Sequence, residues 1–214
     1  MFAFLTGAGL SASAGLNAYI PLLIVGLVSR FTDALRLPSG WDWLSSWWAL
    51  TVMAVLLLVE VVVDKVPVVD HVNDIIQTAV RPAAGGAVLS ASTAAGQLDA
   101  HTGTALHTSD NPVLGWVVGI VIALCVHVTK ALMRPVINGG TLGFGTPVVS
   151  AVEDTGSAGM SLLAIFVPIL AGVALLLMVV GFVWLWRARR RWKQRRARAK
   201  AAKIARRYAL KCWS

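Results

Sequence analysis

Asp70, Asp74, Gln77 and Arg81 recur at i, i+4, i+7 and i+11, a spacing that puts them on one face of an α-helix. Carboxylates one turn apart can share a cation such as Mg²⁺ or relay protons, and a following arginine can hold an anionic group. Val69, Val72, Ile75, Ile76, Ala79 and Val80 cover the rest of the segment. Pro67 suits the first turn of such a helix, and Pro82 is expected to end it. Glu60 and Asp64 form another i, i+4 acidic pair one segment earlier.

A second polar stripe is cationic. His127, Lys130, Arg134 and Asn138 fall at i, i+3, i+7 and i+11 and lead into NGGTLGFGTPVVS, followed by Glu153 and Asp154. A glycine-rich loop between membrane helices can turn backbone groups toward a ligand. It is not a phosphate-binding P-loop, because the Gly-Lys-Ser/Thr ending is absent. The candidate substrate-binding residues are therefore Asp70, Asp74, Arg81, His127, Lys130, Arg134 and Asn138. Glu60, Asp64, Glu153 and Asp154 are candidates for ion coupling, and Asp70 with Asp74 for a metal.

Each stripe also has a structural reading. Residues 64–82 would equally form a helix lying flat at a membrane interface with a solvated acidic face. Lys130 and Arg134 would pair with Asp70, Asp74, Glu153 or Asp154 and so satisfy buried charge without turnover. His101 and His107 belong to the polar loop DAHTGTALHTSDNP, where a solvated histidine is expected, and His71 carries little weight. Ser11, Ser13 and Asn17, interleaved with Gly7, Gly9 and Gly15, suit close helix packing or hydrogen bonding to a substrate.

The elements that position these residues belong to a membrane protein. Of 214 residues 57% are hydrophobic and 14% charged, with mean hydropathy +0.73, whereas a soluble domain carries about 25% charged residues. Phe2–Ser29, Trp47–Val63, Asn111–Thr129 and Gly159–Trp186 are each apolar enough to cross a bilayer. Trp41, Trp43, Trp47, Trp48, Trp184 and Trp186 stand where interfacial aromatics are expected. Two uncharged stretches are harder to place. Residues 82–98 are mostly Ala, Gly, Ser and Thr, and residues 135–152 contain Gly139, Gly140, Gly143, Gly145 and Pro147, which argue against a regular helix there. Both suit re-entrant elements or helices sheltered inside a bundle. The expectation is an all-α polytopic bundle with four to six membrane segments.

The net charge of +9 is concentrated at one end. Residues 187–214 hold 13 of the 19 basic residues and no acid, so the other six face all ten acidic residues. Residues 1–186 thus form the helical membrane domain and 187–214 a basic tail. The positive-inside rule puts that tail in the cytoplasm of a bacterial inner membrane, where it would touch anionic headgroups rather than nucleic acid. Cys125 and Cys212 suggest no bridge, and the N-terminus lacks the positive start of a signal peptide. GAGLSAS (7–13) and GAVLSAS (86–92) agree at six of seven positions, in keeping with the repeated halves common in transporters.

GLSASAGLNAYIPLL, VEVVVDKVPVVDHVNDIIQTAVRP and KALMRPVINGGTLGFGTPVVSAVED stand in order across most of residues 7–170. On these segments the chain resembles a bacterial family of small multi-pass integral membrane proteins classified as a domain of unknown function. The resemblance implies a multi-pass helical fold with these polar segments as its signature, and no activity.

Three functions compete. Two polar stripes, a glycine-rich break and a repeat favour a transporter or channel for a small ion or polar solute. The D-x-x-x-D of Asp70 and Asp74 would instead serve a Mg²⁺-dependent intramembrane enzyme on a lipid phosphate. It weakly resembles the end of the CDP-alcohol phosphotransferase motif and an aspartate-rich prenyltransferase motif, but lacks the preceding D-G-x-x-A-R and a full N-D-x-x-D-x-x-x-D. A noncatalytic scaffold or accessory subunit, self-associating or docked through the tail, needs no site. No G-x-S-x-G, H-E-x-x-H or dinucleotide fingerprint occurs in the chain.

Overall fold

The structure, a computed structural model, describes residues 2–37, 39–63, 67–98, 112–141, 145–181, 183, 184, 187, 190 and 191. Among these the regular elements are all helical. They are α1 (Phe2–Leu16), α2 (Tyr19–Phe31), a 3-10 turn (Asp42–Ser45), α3 (Trp47–Val63), α4 (Pro67–Leu98), α5 (Pro112–Thr141) and α6 (Gly145–Phe166), then α7 (Pro168–Gly181). The chain forms two compact units, Met1–Leu175 and Leu176–Ser214. In the second, residues 176–181 are helical, and most of the basic tail lies outside the described residues.

The first unit is built around α1, which packs on α2, α4, α5 and α6. Small residues make this close contact feasible. Ser11, Ala12, Ser13 and Ala14 have no exposed surface. A Cβ on Gly9 would come within 2.8 Å of Ala164, and one on Gly15 within 2.6 Å of the Ala123 carbonyl oxygen. The Ser11 hydroxyl donates to the Gly85 carbonyl at 2.7 Å, and Ser13 Oγ lies 2.6 Å from Ser161 Oγ. These serines join helices rather than waiting for a ligand. The similar heptapeptides 7–13 and 86–92 meet directly, because a Cβ on Gly7 would fall on the Leu89 side chain and within 3.2 Å of Ser92 Cβ.

Four expectations from sequence need correction in detail. The first apolar stretch is not one helix: α1 stops at Leu16 and α2 starts at Tyr19, leaving Asn17 and Ala18 between them. Pro82 does not end α4, which runs on to Leu98. Its ring removes one intrahelical bond, but Ala84, Val88, Leu89, Ser90, Ala91 and Ser92 are buried against neighbours that hold the helix. Residues 82–98 are accordingly a helix sheltered among others. Gly139 and Gly140 do not interrupt α5, which continues to Thr141, while 142–144 lie outside the described residues. The stretch from Gly159 onward is divided at Val167, where Pro168 opens α7 in the first-turn position that tolerates proline.

Polarity runs inside out. On α3 the buried residues are Ala49, Leu50, Met53 and Glu60, while Leu58 is 64% and Val62 56% exposed. On α4 Gln77 and Arg81 are buried while Ile75 and Ile76 point outward. A water-soluble helix does the opposite. Gln77 and Arg81, the described side chains of the first stripe, therefore turn into the bundle. Within α5, Val113–Ala131 is long and apolar enough to cross a membrane; α1, α2, α3 and α7 are shorter apolar helices.

Aromatic residues gather where α2 passes into α3. Arg30 donates to the Ser45 carbonyl at 2.7 Å and sits 4.2 Å over the Trp47 ring, a cation–π contact. Trp43 and Trp48 stack at 6.0 Å. Beneath them Leu44, Ala49, Leu50 and Met53 form a buried apolar cluster.

Candidate functional site

The interruption between α1 and α2 collects the buried charges. A helix that stops leaves carbonyls without partners at its end, and one that starts leaves amides without partners. Asn17 serves the start. Its Oδ1 accepts from the amides of Tyr19 at 3.0 Å and Ile20 at 3.2 Å, the bonding pattern of an N-cap side chain. The Asn17 amide nitrogen donates to Asp154 Oδ1 on α6 at 3.0 Å. Lys130 serves the stop: its Nζ donates to the Leu16 carbonyl at 3.2 Å and pairs with Glu153 at 2.8 Å. Helices α1, α2, α5 and α6 thus meet in one polar cluster.

A second cluster lies beside Tyr19. Arg81 is wholly buried and pairs with Glu60, itself 2% exposed, at 3.0 Å. Arg81 Nε also donates to Gln77 Oε1 at 3.3 Å, and Nη1 lies 3.4 Å from His127 Nδ1. Arginine only donates, so Nδ1 is the accepting nitrogen and the imidazole proton sits on Nε2. Nε2 then donates to Thr78 Oγ1 at 3.1 Å. The Tyr19 phenol reaches Gln77 and lies in the field of Glu60 and Arg81, which links the cluster to the start of α2.

The sequence expected Glu60, Arg81, His127, Lys130, Glu153 and Asp154, and the fold brings all six into these two neighbouring clusters. His127 and Lys130 keep their predicted shared face on α5, both buried. The pairing reading of Lys130 is realised with Glu153. Asp70, Asp74, Arg134 and Asn138 lie on described helical backbone, but their side chains, with that of His71, lie outside the described residues. Asp64, His101, His107 and Cys212 lie wholly outside. Among the described residues no three His, Cys, Asp or Glu side chains converge as a metal site.

Sequence reasoning missed Tyr19 and Thr78, and assigned Asn17 to close packing or a substrate hydrogen bond rather than to the start of α2. The available signal was a single Asn followed two residues later by an apolar helical run, the start signature of a helix.

The site holds buried charge in two ion pairs, Arg81 with Glu60 and Lys130 with Glu153. Glu60 and Arg81 form a buried pair whose desolvation offsets much of its attraction. Comparison with characterised proteins and with solved structures yields no match. A family model described as Domain of unknown function (DUF4126) matches residues 4–188, and the chain belongs to that family.

Proposed function

We propose that this chain is a multi-pass membrane protein that moves a small ion or polar solute through the charged clusters at the α1–α2 break. The observation that carries the reading is the break itself. Leu16, Asn17, Lys130, Glu153 and Asp154 meet at a discontinuous helix inside a bundle whose outer faces are Val and Leu. Discontinuous helices of this kind present backbone ends to substrates and coupling ions in membrane transporters. Buried ionisable groups in such surroundings mark pathways more often than they stabilise a fold.

The inverted polarity supports the membrane. The 17-residue α3 is about 26 Å long at the usual helical rise, close to the hydrocarbon thickness. Outward Val and Leu on α3, α5 and α7 suit lipid tails, and Trp43, Trp47 and Trp48 with Arg30 suit a headgroup boundary. The basic residues after Trp186 favour a cytoplasmic C-terminus held at anionic lipid.

The test is flux through proteoliposomes loaded with a pH dye and separately with radiolabelled sodium. Wild type should pass protons or sodium faster than empty vesicles. Asp154→Asn, which keeps the shape beside Asn17, should lower that rate at least tenfold with the protein still folded. Wild-type vesicles no leakier than empty ones, for protons, sodium, potassium and chloride alike, would remove the reading.

A further inference from the structure

We propose that the C-terminal end of α1 is a monovalent-cation site occupied in this structure by the Lys130 ammonium. The proposal deepens the transport reading by naming the ion class and where it is held.

The oxygen atoms come first. The last turn of α1 points carbonyls lacking intrahelical partners into the break, and the helix end carries partial negative charge. The Leu16 carbonyl is one such oxygen, and Lys130 Nζ sits 3.2 Å from it. The Glu153 carboxylate is 2.8 Å from the same nitrogen. Asp154 follows Glu153 on α6 and is tied at 3.0 Å to Asn17, the residue after Leu16. A helix-end carbonyl with the Glu153 carboxylate beside it resembles the donor set that half-helices offer to sodium.

Charge decides the valence. The occupant is a single positive charge, on a side chain only 4% exposed. The described residues supply no third His, Cys, Asp or Glu side chain that would favour a multivalent metal. Sodium or potassium reproduces the ammonium's charge with oxygen ligands. Lys130 reaches the site from α5 on a flexible stem, so its ammonium can leave while the oxygens remain on α1 and α6. An incoming ion and the ammonium therefore compete for one place.

The experiment is thermal unfolding of purified protein in choline chloride, then in sodium or potassium chloride of equal ionic strength. Wild type should shift by less than the lysine variants between choline and sodium or potassium, because the ammonium competes with the ion for the site. Lys130→Met and Lys130→Ala should unfold early in choline and recover by about 3 °C or more in sodium or potassium. Lys130→Met/Glu153→Gln should lose that recovery. Lysine variants indifferent to the ion overturn the proposal, as does recovery that survives loss of Glu153. Lysine variants that cannot be purified folded from sodium, potassium or choline also overturn it, since the ion is expected to replace the missing charge. Flux plays no part in this readout, so ion binding without transport upholds the site and defeats only the transport reading.

Discussion

Glu60 on α3 and Arg81 on α4 form a 3.0 Å ion pair with side chains 2% and 1% exposed. Around it Arg81 reaches Gln77 and His127, so its guanidinium bonds side chains on α3, α4 and α5. Taking either partner away strands a charge in a medium that cannot solvate it. Arg81→Met and Glu60→Met should each destabilise by about 3–5 kcal/mol, while the double variant should cost clearly less than their sum. Chemical denaturation in detergent would measure the cycle. Additive losses would mean that the two groups do not share their burial.

The cap at the break gives a separate handle. Asn17→Ala removes the acceptor for the Tyr19 and Ile20 amides and the donor to Asp154. The cap alone is worth about 1–2 kcal/mol, so the unfolding midpoint should fall by several degrees. Asn17→Asp keeps the acceptor but faces Asp154 with a like charge. It should therefore unfold at a lower midpoint than wild type at neutral pH. Equal stability of Asn17→Asp and wild type at neutral pH would contradict the arrangement.

Helix contact through glycine predicts a sharp contrast. At Gly119 a Cβ would land on the Gly85 carbonyl oxygen, and at Gly85 it would land on Ala123 Cβ, so α4 and α5 touch backbone to backbone. Gly85→Ala or Gly119→Ala must push the helices apart, with an overpacking cost of about 1–3 kcal/mol. At Gly159 a Cβ meets nothing within 4 Å, and alanine is the better helix former by about 1 kcal/mol. Gly159→Ala should be neutral or stabilising. Midpoints of the three variants in one detergent would decide it.

Much of the site was legible because helical spacing is. Gln77 with Arg81, and His127 with Lys130, could be put on shared faces from their spacing, and both pairs are buried. The break was not legible, since only two non-helical residues separate α1 from α2 and hydropathy averages over them. Pro82 misled for a physical reason: a proline ends an isolated helix, yet one lost hydrogen bond is tolerated where packing on both sides holds α4 straight through. Val167 and Pro168 show the converse, a proline at the start of α7 dividing a run that reads as continuously apolar. Which acid meets which base depends on tertiary contacts that no periodicity encodes. Lys130 had four carboxylates to choose from in the sequence and takes Glu153.

We propose that the charged break lies on an ion path inside a bundle whose outer surface faces lipid. Substituted-cysteine labelling in intact cells tests it most directly, in a background with Cys125 and Cys212 replaced by alanine. Asp154→Cys at the break and Val59→Cys on the outward face of α3 would be treated with a membrane-impermeant, water-requiring thiol reagent. The account predicts labelling at position 154 from at least one side of the membrane and none at position 59. Ready labelling at 59 would contradict the lipid-facing surface, and silence at 154 from both sides would contradict an ion path through the break.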